Sequence, residues 1–272
     1  MRLDLHVHST VSDGSWSPGA VVRGAAAGGL DVIAIADHDT AAGFAAATAA
    51  AAGLDIQVIP ALEVSSTHAS RDIHVLGYFV DPDSSAVRAH AGRATGRREE
   101  RMREMLTRLA MQGIAIDYAA VEKAAGPDRV VIGRPHLARA LVAAGHATSL
   151  PDAFDRLIGD DKPAFVPTNL LTAEEAVEVV IAAGGVPMWA HPPGDMVDAL
   201  LPALLGVGLR GLEVYRPKSA RTDVIRYEAI CRSRGLLMSG GSDWHTPDGG
   251  SALGDFFVTG DEVEGLLAAG GM

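Results

Sequence analysis

The chain has 272 residues, enough for one large α/β domain or one domain carrying an insertion, and 48% of them are hydrophobic, enough to bury a sizeable core. A formal net charge of -11 argues against a broad surface that coats nucleic acid, but not against a small phosphate ester. The single cysteine, Cys231, excludes an internal disulfide framework and fits a reducing, cytoplasmic setting in which it is a buried structural thiol.

The sequence opens directly on a predicted strand, residues 2–6, with no segment that reads as a signal peptide or membrane span. Alternation puts His6 and His8 on one side of it, a pair of potential metal ligands, and Asp13 follows in the turn sequence Ser12-Asp13-Gly14. Asp4 faces the other way and reads as a salt-bridge partner. Ser17-Pro18 starts a helix over 18–28, as cap and first-turn proline. Residues 31–36 form a continuous apolar strand of the kind buried on both faces. It ends in Asp37-His38-Asp39, one carboxylate of which is expected to cap the alanine-rich helix over 40–52. A third strand, 56–62, ends at Glu63, and a fourth, 72–80, carries His74.

From about 84 to 180 the strand signal vanishes. A long helix over 85–112 has Met102, Met105, Leu106 and Leu109 at helical spacing, and its arginines, Arg93 to Arg108, read as a solvated face. Shorter helices follow near 117–124, 134–143, 151–157 and 173–183. Residues 85–179 are therefore expected to be a helical insertion in a domain made of 1–84 and 180–272. Alternation resumes with strands over 185–190, 211–215 and 236–239, followed by His191 in Ala190-His191-Pro192 and by Asp243-Trp244-His245. Strands alternating with helices imply a mostly parallel sheet, open or closed into a barrel, with functional groups gathered at one rim.

Six of the ten histidines lie at these strand ends, with Asp13, Glu63 and Asp243 among them. Imidazoles and carboxylates packed together are costly without a cation between them. Such ligands suit Zn, Mn or Fe better than Ca, and the set has room for two or three divalent ions. Ions so spaced suit phosphoryl transfer.

In that order, His6-Val7-His8 with Ser12-Asp13-Gly14, Asp37-His38-Asp39, Glu63, His74, Ala190-His191-Pro192 and Gly241-Ser242-Asp243-Trp244-His245, the chain resembles the PHP (polymerase and histidinol phosphatase) family over nearly its full length. The resemblance implies a metal-dependent phosphoesterase whose catalytic domain, 1–84 and 180–272, is a distorted (β/α)7 barrel capped by the helical insertion 85–179. It implies one ion on His6, His8, Glu63 and Asp243, a second on Glu63, His74 and His191, and a third on Asp13, His38 and His245. Hydroxide held at the ions by Glu63, Asp243, His191 and His245 would attack phosphorus in line.

Gly133-Arg134-Pro135-His136 in the insertion is similar to a motif of family members that remove phosphate from nucleotides. It implies that Arg134 and His136 contact phosphate, for which a guanidinium offers a forked donor set. The local alternatives are a helix-start salt bridge and a packed helix residue. Arg216, where the family often has histidine, is either a further phosphate contact or a structural salt bridge. The expected partner is a nucleoside mono- or bisphosphate, or the 5′ end of a short oligonucleotide. A histidinol-phosphatase-type enzyme and a non-catalytic, metal-stabilised module are the competing readings.

Overall fold

The computed structural model describes residues 1–247 and 250–272. In chain order the strands are β1 (Arg2–Val7), β2 (Val32–Ile35), β3 (Gln57–His68), β4 (Arg71–Tyr78), β5 (Val186–Trp189), β6 (Gly211–Tyr215), β7 (Leu237–Gly240) and β8 (Val258–Thr259). They form one sheet in the order β7-β6-β5-β4-β3-β2-β1-β8. The sheet curls until the chain leaving β7 meets β1: the Asp243 amide donates to His6 O, and the His8 amide to Trp244 O. The result is a nearly closed, distorted barrel. Gly241 makes the closure possible, because a Cβ there would fall 2.4 Å from His6 N.

Helices α1 (Pro18–Ala27), α2 (Phe44–Ala51), α7 (Ala173–Ala182), α8 (Val197–Gly206), α9 (Arg221–Arg234) and α10 (Glu264–Ala269) surround the barrel. The first starts as its sequence suggests, with Ser17 Oγ accepting from Ala20 N ahead of Pro18. Between β4 and β5 lie α3 (Ser85–Met111), α4 (Tyr118–Ala125), α5 (Arg134–Ala143) and α6 (Leu150–Ala153), the last continuing into a π-type turn, Phe154–Ile158. This block has a core of its own. Met102, Met105 and Leu109 of α3 pack there with Val121, Leu137, Leu141 and Ile158. By contrast α7, counted with the insertion from sequence, sends Ala173, Ala176, Val177 and Val180 into the barrel core. Among the described residues, no helix is long and apolar enough to cross a membrane.

Strand direction departs from the mostly parallel expectation. β3 continues six residues past the expected end, to His68, turns through Ala69 and Ser70 (φ 48° and 63°), and pairs antiparallel with β4 from His68↔Arg71 to Ala61↔Tyr78. Two left-handed residues in a two-residue turn match the twist of a hairpin. The extension is hidden in the sequence because Ser65, Ser66 and Thr67 look like a loop. Inside the structure Ser65 and Ser66 are buried, and Ser66 Oγ donates to Ile73 O. The reversal matters for the site. Running antiparallel, β4 begins at the rim where β1, β2 and β3 end, so His74 arrives there from the start of its strand.

Candidate metal centre beneath an arginine-lined cap

His6 and His8 are wholly buried, and their Nε2 atoms approach to 3.2 Å. His6 Nδ1 donates to Glu213 Oε1 at 2.8 Å, which turns the lone pair of Nε2 inward. Around these nitrogens stand Asp243 Oδ1, 3.1 Å from His8 and 3.5 Å from His6, and Glu63 Oε2, at 3.4 and 3.5 Å. Ligand atoms held about 2.0–2.1 Å from one tetrahedral ion lie about 3.3 Å apart. The four side chains have that spacing.

Glu63 reaches a second group with its other oxygen. Oε1 lies 2.9 Å from both His74 Nδ1 and His191 Nε2, which are 3.3 Å from each other. A third group forms where the turn after β1 meets the segments after β2 and β7. Asp13 Oδ1 is 3.3 Å from His245 Nε2, and Asp13 Oδ2 is 3.6 Å from His38 Nε2. His8 Nδ1 joins this group 3.8 Å from Asp13 Oδ1. His38 Nδ1 and Glu63 Oε2 are only 2.9 Å apart, yet both are buried without a hydrogen-bond partner. Two lone-pair atoms converging in this way fit a shared cation. All nine residues expected as ligands are thus brought to one rim. Asp39, His191 and Asp243 there have left-handed backbone (φ 58°, 29° and 53°), strain of the kind that collects at functional sites.

A cavity of about 290 Å³ opens over these groups, and Arg98, Arg101 and Arg134 line its cap side. Two of those arginines correct the expectation of a solvated helix face: Arg98 and Arg101 are 4% and 5% exposed. Arg98 Nε donates to Asp39 Oδ2 at 2.7 Å and its Nη2 to Ser65 Oγ at 2.7 Å, while Arg101 Nη2 donates to Asp72 Oδ2 at 2.8 Å. A buried guanidinium needs a carboxylate, and here the carboxylates come from the barrel. Arg134 lies over the rings of Phe154 and Phe165 and pairs with Asp160.

A family model described as the PHP domain matches residues 4–127. The chain is 33% identical over 260 residues to the 3′,5′-nucleoside bisphosphate phosphatase of Chromobacterium violaceum, across 93% of this chain and 90% of that protein. It belongs to the PHP family. Over 261 residues it is also 34% identical to a 5′-3′ exoribonuclease of Haemophilus influenzae, with 93% of each chain covered. A solved structure from Bifidobacterium adolescentis, named as a metal-dependent phosphoesterase, superposes with a TM-score of 0.87 at 30% identity, covering 98% of this chain and 95% of that one.

Electrostatics of this PHP centre follow from crowding acids and imidazoles in a buried space. Burial disfavours charge on His6, but Glu213, Glu63 and Asp243 outweigh it and raise the imidazole well above its ordinary value. Against the same penalty, Asp13 and Asp243 carry His245 up to about 10. His8 goes the other way, down to about 3, through burial and the neighbouring His245 and His38. The upward shifts of His6 and His245 reflect the negative charge of the surrounding carboxylates, which bound cations would balance. Loading such a centre releases protons, so it weakens in acid.

Several PHP residues differ from their sequence reading. Neither Asp37 nor Asp39 caps α2, whose N-terminal Gly43 has no side-chain cap. Asp37 instead takes the Ser9 amide and the hydroxyls of Ser9 and Ser12, which holds the turn carrying Asp13. Asp39 takes Arg98, the Ser65 amide and buried His90. Among the described residues Asp4 makes no salt bridge; it accepts from Ser242 N at 2.8 Å and bolts the Asp243 segment to β1, while burial pushes its carboxyl up to about 6.

His136, expected at the phosphate, is wholly buried and takes the Gly133 amide on Nδ1, so it shapes the start of α5. Burial lowers its imidazole to about 4. Arg216 stands 4.0 Å from Glu213 and does not line the cavity, which favours the salt-bridge alternative. Glu213 itself was missed. Besides His6 it accepts from His191 N at 2.7 Å, gripping two of the proposed ligands. Its one sequence signal is an acid in the middle of an otherwise apolar buried strand.

Proposed function

We propose that this PHP protein is a metal-dependent phosphoesterase that removes phosphate from nucleoside mono- or bisphosphates or from the 5′ end of short oligonucleotides. The observation that carries the reading is the placement of three His–carboxylate groups around Glu63, directly beneath Arg98, Arg101 and Arg134. Cation ligands on one wall and fixed cations on the other suit a phosphate between them. Relatives named as a nucleoside bisphosphate phosphatase and an exoribonuclease support the substrate class.

In this reading His6, His8, Glu63 and Asp243 hold one ion; Glu63, His74 and His191 a second; and Asp13, His38 and His245 a third. Imidazole with carboxylate suits Mn, Fe or Zn. Bound at these residues, two or three such ions would supply Lewis acidity to the ester and lower the pKa of water toward neutral. The remaining work belongs to the chain. Glu213 orients His6 and the backbone of His191, and Asp37 orients the Asp13 turn. Arg134 neutralises phosphate, while Arg98 and Arg101, tied to Asp39 and Asp72, keep their charges fixed at the cavity wall. The cap, from α3 to the turn after α6, restricts water; α7 joins the barrel. A reducing cytoplasm suits buried Cys231.

The test is phosphate release with Mn from adenosine 3′,5′-bisphosphate, AMP and a short 5′-phosphorylated RNA. The reading expects turnover of at least one. Release from none of them, with histidinol phosphate turned over instead, would sink it.

A further inference from the structure

Beside the phosphate cavity lies a second chamber of about 600 Å³, within the size of ordinary small-molecule sites. Its walls come from both halves of the molecule. Leu150 and Pro151 of α6 and the ring of Phe154 form the cap side, and Ser15 and Thr246 the barrel side. Phe154 also lines the phosphate cavity, so the two spaces share one aromatic wall. The barrel side is continuous with the centre as well. Thr246 follows His245, and Ser15 N donates to His245 O at 2.8 Å.

The two chambers differ in what they can hold. The first has three arginines and the ligand groups. In the second the cationic side chain is Arg139, already donating to Asp13 O at 2.7 Å, and the rest is apolar or hydroxylic. A phosphate gains little there. A flat, uncharged group gains an aromatic face and two aliphatic walls. Phe154 opens the π-type turn at the end of α6, a local widening of the helix of the kind frequent at functional sites.

We infer that this chamber binds the base of the nucleotide whose phosphate is cut, with Phe154 as the stacking wall between base and phosphate. The inference rests on the nucleotide reading above and narrows it. Recognition by stacking and apolar contact tolerates any base, because every base has a π-face. Adenine, guanine, cytosine and uracil nucleotides should therefore be turned over within a few-fold of one another. A sugar phosphate without a base should be a poorer substrate through KM.

Phe154→Ala removes the wall and Leu150→Trp fills the chamber; both are compared with wild type on AMP and on ribose 5-phosphate. A base subsite predicts that kcat/KM for AMP falls roughly 5- to 150-fold, the range for losing one base–aromatic stack. The loss on ribose 5-phosphate should be at least several-fold smaller. Equal losses on both substrates, or none on AMP, would overturn the inference. Phe154 and Leu150 both pack against the cap core, so whichever variant folds decides, and the wild-type binding measurement below decides if neither does.

A second readout needs no turnover. Adenosine binding by equilibrium dialysis in chelator should be saturable in wild type and weakened by Leu150→Trp, and its absence in wild type also overturns the subsite. Failure of every nucleotide to release phosphate, with adenosine still bound in the chamber, would remove the catalytic reading and leave the subsite standing.

Discussion

The barrel rim and the cap handle buried charge in opposite ways. At the rim, nitrogens and carboxylate oxygens converge with lone pairs facing one another, and Glu63 Oε2 and His38 Nδ1 have no hydrogen-bond partner. In the cap, the buried arginines are paired: Arg98 with Asp39, Ser65 and Ile132 O, and Arg101 with Asp72 and Val166 O. An unpaired buried polar atom costs roughly 1–3 kcal/mol, so a rim that leaves such atoms is built for a ligand from outside. The paired cap is built to be rigid. Its partners Asp39 and Asp72 belong to barrel segments, so the same bonds that neutralise the arginines fix the cap over the rim.

The comparison breaks first at Glu63, which serves two of the three groups of proposed ligands. Glu63→Ala should lower kcat/KM by well over the roughly 10–100-fold typical of outer partners of a metal site, measured with Mn in excess. A loss within that range would demote Glu63 from the centre to its support. On the cap side, Asp39→Ala strands the Arg98 guanidinium in a buried site. Breaking a buried pair in this way costs about 3–5 kcal/mol, read from urea unfolding in chelator. A change below 1 kcal/mol would show that water reaches Arg98 and that the cap is looser than its bonding suggests.

His136 sharpens the contrast through pH. Burial holds its folded-state value near 4, below the unfolded value of about 6.5, so between these the unfolded chain binds more protons. Its contribution is complete above about pH 6.5 and is lost as pH falls toward 4, up to on the order of 3 kcal/mol. Comparing urea midpoints at pH 7.5 and 5.0 for wild type and His136→Gln isolates this share. Identical pH slopes would mean that His136 is solvated. Glu213→Gln keeps the shape but weakens the grip on His6 Nδ1, and should weaken Mn affinity about 10–100-fold by titration. The smallest effect is expected at Arg216, partly exposed and 4.0 Å from Glu213: Arg216→Ala should change kcat/KM less than twofold. A tenfold loss would restore it as a phosphate contact.

How far the site can be read in advance depends on how local its signal is. His6 and His8 are legible as a pair because period-two alternation is a property of two neighbouring residues. The nine rim residues are legible because each sits beside a recognisable strand. Arg98 and Arg101 are not, since nothing within α3 says which arginine meets a carboxylate more than 25 positions earlier in the chain. Glu213 hides for the same reason, 207 positions from His6. Asp37 and Asp39 mislead because a carboxylate ahead of a helix has an ordinary local use that long-range partners override.

By itself the sequence determined the order of the first seven strands, the helical insertion with its own apolar stripe, and the ligand types gathered for cations; β8 and α10 were not read from it. These follow from periodicity and residue chemistry, which are local. Tertiary structure alone decided the antiparallel β3–β4 hairpin that delivers His74 to the rim, the Glu213 bonds behind His6 and His191, and the pairing of cap arginines with barrel carboxylates. It also placed the apolar chamber beside the arginine-lined cavity. The physical reason is common to all four: each depends on which distant groups burial forces together, and a buried charge or lone pair takes its meaning from the partner it meets.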